Sequence, residues 1–322
     1  MTRIMILAGT PGRPLAEAAC KHLSTPLGKA RVERFPDGEV RVELQENVRG
    51  ADVFIINPTN TPDANRMEAV TLAKTCRGSS ASRVTNVIPY LGYNRQDRKD
   101  RPRVAVTAEI AIDQIIRGGC HRVLLFDVHS EATLNVFHNH HVAVDHLYAA
   151  IVAREYIQSI FNGSNRAVAS TDHGGVARAR AYATKVVGIR DTVIFDKQRV
   201  GDGGEIDGDS IQIIGEVAGK DILFIDDMID TAGTICKDSK AAKKAGAQRI
   251  FVFATHGLFS DPAIELINDS PIEEIVVTDS IPQNLDKLGR CKVKITVLSI
   301  DWLIARAIRN IHDEQSLSEL IL

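Results

Sequence analysis

"ILFIDDMIDTAGTICKDSKAAKKAGAQRIFVFATH", Ile222 to His256, decides the fold. An apolar β-branched run enters three acids, a small-residue turn, a helical-period segment, a glycine and a second β-branched run ending on His256. Strand, loop, helix and strand in that order imply parallel pairing and a sheet covered on both faces. In such sheets ligands sit at the carboxyl ends of the strands, so the loop holding Asp226, Asp227 and Asp230 is the first place to look for chemistry.

The pattern recurs upstream. "TAEIAIDQIIRGGCHRVLLFDVH", Thr107 to His129, aligns without a gap with Thr234 to His256, pairing Thr107 with Thr234, Gly119 with Gly246, Arg122 with Arg249 and His129 with His256. Further short β-branched runs ("RIMILAG", "DVFIINP", "RVTNVIP", "RAVAST", "DTVIFD", "EIVVTD", "KITVLS") alternate with helical segments over most of the chain. The expectation is an α/β protein of two tandem, related domains, residues 1–146 and 147–322, each a mostly parallel sheet flanked by helices. The last helix is expected to pack back on the first domain. "VGDGGEIDGD", Val200 to Asp209, is acidic, glycine-rich and aperiodic, and reads as a mobile loop.

Composition sets the outer bounds. With 322 residues the chain exceeds one typical core, and 44% apolar with 25% charged residues is a globular profile. A formal net charge of −2 gives no bulk case for nucleic acid, and no apolar run approaches the roughly 20 residues that span a bilayer. "MTRIMILAGTPG" reads as a first strand and turn rather than a secretory leader. Five scattered cysteines without a CxxC pair favour free thiols and a cytoplasmic setting over a disulfide framework or zinc site.

The loop after Ile225 makes two demands at once. Thr231, Ala232, Gly233 and Thr234, leading into a helix, supply backbone N–H groups and hydroxyls for one phosphate monoester. Asp226 and Asp227 suit vicinal hydroxyls or a Mg2+ bridged to them. A sugar phosphate satisfies both, against the plainer reading of solvated acids and a helix N-cap. Elsewhere the residues alone favour ordinary roles: Phe35 in a core, Asp37-Gly38 a turn, the basic run from Arg95 to Arg103 a solvated face, His129 structural, Lys197 and Arg199 surface cations.

"DDMIDTAGT" resembles the phosphoribosyl-diphosphate motif of type I phosphoribosyltransferase folds. Together with "RFPDGEVRV", "NVRGADVFII", "IPYLGYNRQDRKDR", "FDVHS", "STDHGGVARAR", "FDKQR", "THGLFSDPAIELI" and "IRNIHDEQSLSELI", the chain is identified as a member of the ribose-phosphate pyrophosphokinase family. That resemblance implies a diphosphoryl transfer from ATP to ribose 5-phosphate, with Mg2+ as cofactor and a homo-oligomer, a hexamer, as the working assembly. It implies ATP binding by Phe35, Asp37 and Glu39, reaching a neighbouring subunit's adenine, and by Arg95 and Gln96 at the triphosphate. It implies His129 and Asp172 at the ATP-bound metal, and Lys197 and Arg199 as catalytic cations on a closing loop. It places ribose 5-phosphate on Asp226, Asp227, Asp230, Thr231, Ala232, Gly233 and Thr234. Neither nucleic acid nor membrane is an expected partner.

Two segments depart from the family pattern. "EATLNVF", Glu131 to Phe137, stands for a glutamine-rich "PQIQGFF"-like stretch, and "SLSELI", Ser316 to Ile321, for "SVSYLF". Both help build the allosteric phosphate and ADP site of the best-known class; Ser316 and Ser318 are kept, and the resemblance leaves the response to phosphate and ADP open. Three rivals remain at this point: a non-catalytic associated subunit, a phosphoribosyltransferase that consumes phosphoribosyl diphosphate, and a purely structural assembly protein.

Overall fold

The computed structural model describes residues 2–197 and 211–321, without the side chain of Lys197. By its contacts the chain divides into two compact units. The first holds Met1–Ala149, Ser280–Pro282 and Ser299–Ile321; the second holds Ala150–Asp279 and Gln283–Leu298.

The first unit contains strands β1 (Ile4–Ala8), β2 (Ala30–Arg34), β3 (Val40–Leu44), β4 (Asp52–Ile56), β5 (Arg83–Ile88), β6 (Arg122–Phe126) and β7 (Ala143–Leu147). Its helices are α1 (Arg13–Leu23), α2 (Ala64–Gly78), α3 (Thr107–Arg117) and α4 (Leu134–Asn139). Among the described residues, β1, β4, β5, β6 and β7 form a parallel five-stranded sheet in that order. Every residue of β4 ("DVFII") is buried, as a central strand covered on both faces requires. β2 and β3 form a separate antiparallel ribbon that the strand reading of the sequence did not include.

The second unit contains α5 (Ala150–Ile160), β8 (Arg166–Ser170), α6 (Val176–Ala181), β9 (Thr192–Lys197), β10 (Ile211–Ile214), β11 (Asp221–Ile229) and α7 (Gly233–Lys244). It continues with β12 (Ile250–Gly257), α8 (Ala263–Asn268), β13 (Glu274–Thr278), α9 (Leu285–Leu288) and β14 (Lys294–Leu298). The sheet order is β10-β9-β8-β11-β12-β13-β14, parallel except for the β9–β10 pair.

The gapless sequence echo has a structural counterpart. β4-β5-β6-β7 repeat the order and direction of β8-β11-β12-β13, with α3 and α7 as matching crossovers. Gly119 and Gly246 follow the two helices at φ +87° and +93°, the left-handed geometry that a helix C-terminus asks of glycine. The loop after β5 and the loop after β11 therefore hold equivalent places, each at a strand's carboxyl end.

α10 (Asp301–His312) belongs to the first unit and packs against α1. Leu303, Ile304, Ala307, Ile308 and Ile311, spaced for one helical face, are all buried. Asp52, 2% exposed, accepts from Arg83 Nε at 2.8 Å and lies 2.8 Å from His312 Nδ1, while Arg83 also donates to the Ile311 carbonyl at 3.0 Å. That polar knot fixes the end of α10 on the edge of β4.

Candidate active site

β11 runs past its neighbour. Its pairing with β8 stops at Ile225↔Ser170, whereas pairing with β12 continues to Ile229↔Gly257. Asp226 and Asp227 therefore lie inside the strand rather than at its exit, the place the sequence suggested, because β12 is long enough to carry the ladder onward. The space beside Asp226 that β8 vacates is taken by the loop from Thr171 to Gly175.

Consecutive strand residues face opposite ways, yet both carboxylates meet one cation. Arg178, on α6, places Nη1 3.2 Å from Asp227 Oδ1 and 3.7 Å from Asp226 Oδ1. Thr171 Oγ1 donates to Asp226 Oδ2 at 3.0 Å, and the Asp227 N–H donates to Asp226 Oδ1 at 2.9 Å. Asp227 is buried and Asp226 partly so. Burial first, then the negative charge of Asp227, push the Asp226 carboxyl up to about 7, with Arg178 opposing. Such a pair is a strong attractor for a cation or for hydroxyl donors.

Neither Thr171 nor Arg178 was singled out from the sequence.

Past Ile229 the chain turns through Asp230 and Thr231 into α7. Ala232 sits at the N-cap with φ +60°, a left-handed conformation costly for a residue with a Cβ, and is buried. This geometry aims the unpaired first-turn N–H groups of α7, beginning with Gly233 and Thr234, away from the helix. Thr231 and Thr234 are exposed beside them. The turn is thus rich in donors and follows directly on the acid pair.

The loop after β8 is held by its own bonds. Ser170 Oγ donates to the Asp172 carbonyl at 2.6 Å, and the Gly175 N–H donates to Asp172 Oδ1 at 2.8 Å. A Cβ on Gly175 would lie 2.6 Å from Ser170 Oγ, so the turn needs glycine there. Asp172 is exposed, and His173 Nε2 lies 3.2 Å from Asp196 Oδ1 on β9. Lys197 ends β9 opposite Ile211, while Arg199 and the segment 200–209 lie outside the described residues.

In the first unit, Phe35, Asp37 and Glu39 occupy the tip of the β2–β3 ribbon. The Phe35 N–H donates to the Glu39 carbonyl at 2.8 Å, and the Glu39 N–H donates to Asp37 Oδ1 at 3.0 Å. Gly38, at φ +95°, completes the turn. Phe35 is 44% exposed with Arg41 5.6 Å from its ring centroid, which corrects a core reading of that residue.

Arg95 is exposed in the loop after β5, and Gln96 is half-buried. Gln96 Oε1 accepts from Thr107 Oγ1 at 2.9 Å at the start of α3, which leaves the amide nitrogen of Gln96 as the end able to meet an anion. His129 is exposed beyond β6, whereas Asp127 is buried and accepts from the Ala149 N–H at 2.7 Å, a structural role. His129 belongs to the first unit and Asp172 to the second.

The divergent segments are also placed. Glu131 accepts from Tyr148 Oη at 2.6 Å, and Glu319 pairs with Arg306 at 3.0 Å. Ser316 lines a cleft of about 460 Å³ with Arg83, Arg122 and Asp145.

This strand-end arrangement can be set beside known proteins. Residues 4–119 match the family model described as the N-terminal domain of ribose phosphate pyrophosphokinase, and residues 197–322 match the phosphoribosyl synthetase-associated domain. The chain is 41% identical over 320 residues to a ribose-phosphate pyrophosphokinase of Chlorobaculum tepidum, covering 99% of this chain and 95% of that one. The chain belongs to the ribose-phosphate pyrophosphokinase family. A second member, from Vibrio parahaemolyticus, is 43% identical over 324 residues, with 99% of each chain covered. The crystal structure of phosphoribosylpyrophosphate synthetase from Mycobacterium smegmatis superposes with a TM-score of 0.88 at 30% identity, covering 97% of this chain and 100% of that one. Among the described residues, no helix is long and apolar enough to cross a membrane.

Proposed function

We propose that this family member transfers the β,γ-diphosphoryl group of ATP to the 1-hydroxyl of ribose 5-phosphate, giving phosphoribosyl diphosphate and AMP. The observation that carries the reading is the closeness along the chain of an acid pair near the end of β11 and the donor-rich start of α7. A pentose phosphate is a ligand with a diol for one and a phosphate for the other. Thr231, Gly233 and Thr234, with the backbone at Ala232, hold the 5-phosphate, and Asp226 and Asp227 accept from the 2- and 3-hydroxyls. Asp230 borders both groups.

At the nucleotide end, Phe35 stacks on adenine, Asp37 and Glu39 accept from its exocyclic amine, and Arg95 with Gln96 donates to the triphosphate. The 1-hydroxyl oxygen attacks the β-phosphorus as the bond to the α-phosphate oxygen breaks, and the hydroxyl proton is released. Nothing in this step demands a covalent intermediate, so positioning and charge neutralisation supply the rate. Lys197 and Arg199 neutralise the charge that builds on the transferred group.

Mg2+ fits the donor set. It takes hard oxygen ligands, keeps several waters and is held by one or two carboxylates plus phosphates. Among the described residues no cluster of three or more His, Cys, Asp or Glu is placed to hold a metal ion by itself. Asp226 and Asp227 would hold one ion, which relieves their repulsion, and Asp172 with His129, the imidazole through water, the ATP-bound ion. When bound, the metal neutralises phosphate charge.

Working as a homo-oligomer, a hexamer, in the cytoplasm completes this reading. Five free cysteines, four of them buried, suit a reducing compartment. The test is direct: incubate the purified chain with ATP, Mg2+ and ribose 5-phosphate and follow AMP. AMP formed only when all three are present supports the proposal, and AMP formed without ribose 5-phosphate, or none at all, refutes it.

A further inference from the structure

The β2–β3 ribbon carries Phe35, Asp37 and Glu39, yet among the described residues it has no strand partner in the five-stranded sheet. A two-stranded ribbon is marginal by itself, so what holds it decides where its tip points. Ala30, Val32, Val42 and Leu44 pack on the core of the first unit. Those contacts are apolar and non-directional, and they stop at the Val32↔Val42 rung, two residues short of the Arg34↔Val40 rung that closes the ribbon.

At that last rung stands a directional bond. Arg34 Nη2 lies 2.6 Å from Oε1 of Glu68, a residue of α2 whose side chain is 1% exposed. Thr10 holds the same carboxylate: its N–H donates to Oε2 at 2.6 Å and its Oγ1 to Oε1 at 3.0 Å. A Cβ on Gly9 would lie 2.2 Å from Asn57 Oδ1 and 2.8 Å from Glu68 Oε2, so a larger residue there would displace both side chains from their present positions. Glu68 is thus a buried carboxyl group, held by Thr10, whose basic partner is the residue immediately before Phe35.

We infer that Glu68 is a positioning residue for nucleotide binding, setting the angle of the ribbon tip through Arg34. This rests on the reading of the tip as the adenine site. Glu68 touches no reacting atom in this account; it acts by holding Arg34, and through it Phe35.

Steady-state kinetics of the full chain test it, with AMP release as readout. Glu68→Gln keeps the size and an acceptor for Thr10 but presents an amide to a guanidinium. The expected result is a KM for ATP raised about five-fold or more, with KM for ribose 5-phosphate within about two-fold and kcat within about three-fold. Arg34→Met should reproduce that split, and the double variant should be no worse than either single one. A merely structural role would move both KM values and kcat together, which overturns the inference, as does an unchanged KM for ATP in folded Glu68→Gln. Phe35→Ala separates the two layers. If it raises KM for ATP while Glu68→Gln does not, Glu68 alone is misassigned; if Phe35→Ala also changes nothing, the adenine reading fails and this inference with it. Should Glu68→Gln not fold, Arg34→Met, at a side chain 34% exposed, decides by the same split.

Discussion

Arg178 Nη1 stands 3.2 Å from Asp227 Oδ1 and 3.7 Å from Asp226 Oδ1, so one guanidinium from α6 serves two neighbouring carboxylates of β11. The loop that begins at Asp172 thereby shares a fixed frame with the loop that begins at Asp230. Arg178→Gln removes the one cation beside two neighbouring carboxyl groups that are largely out of water. We expect a loss of about 2–3 kcal/mol in stability by urea denaturation, and ribose 5-phosphate binding weakened about ten-fold. Binding unchanged by calorimetry would show that the guanidinium does not organise the acid pair.

The acid pair also sets a pH dependence of stability. Asp226 is pushed up to about 7 in the folded chain, against about 3.9 unfolded. Between those values the unfolded chain gives up a proton that the folded chain keeps, so stability falls as pH rises from 4 to 7 and levels off above. Asp226→Asn removes this penalty, and its expected gain is zero near pH 4 and at most about 4 kcal/mol at pH 8. Urea titrations at the two pH values check it; an Asn variant no more stable at pH 8 than the parent contradicts the raised carboxyl. Turnover should be lost at both, because an amide supplies neither charge nor a second acceptor.

Gly92 begins the turn that presents Arg95 and Gln96. Its N–H donates to Thr59 Oγ1 at 2.9 Å, and a Cβ there would sit 2.2 Å from the Thr59 carbonyl oxygen, a backbone atom that cannot swing aside. Gly92→Ala must shift the turn, with a cost of about 1–3 kcal/mol and a KM for ATP raised more than that for ribose 5-phosphate. Equal changes in both constants would separate this turn from the nucleotide.

Lys197→Ala should lower kcat by about 100-fold while both KM values stay within about three-fold, the signature of a group that acts on charge developing in the transition state. Single-turnover measurements distinguish this from slowed product release. Near-normal turnover would remove Lys197 from the catalytic set.

How much could be read from residues alone varies with the range of the interaction. Gly119 and Gly246 were legible as helix ends because the left-handed requirement is local. Asp226, Asp227 and the Thr231–Thr234 turn stood out because a strand exit followed by small residues is a contiguous pattern. Glu68 and Arg178 were not legible. Each lies on a helix as one charge among many, and its partner is 34 or about 49 residues away. Phe35 was ambiguous because exposure belongs to the assembled unit and not to a residue type.

The sequence by itself determined the alternating α/β order, the repeated strand–helix–strand unit and the pairing of acids with small and hydroxyl residues after Ile225, since periodicity, glycine placement and neighbouring residue types are properties of a short stretch. Only the tertiary structure decided that β11 outruns β8, that Thr171 and Arg178 meet the acid pair beyond the end of β8, and that Glu68 anchors the ribbon at Arg34. Those outcomes depend on which distant segments pack together, because burying a charge or an apolar face selects a partner by distance and direction in space, and separation along the chain does not encode either.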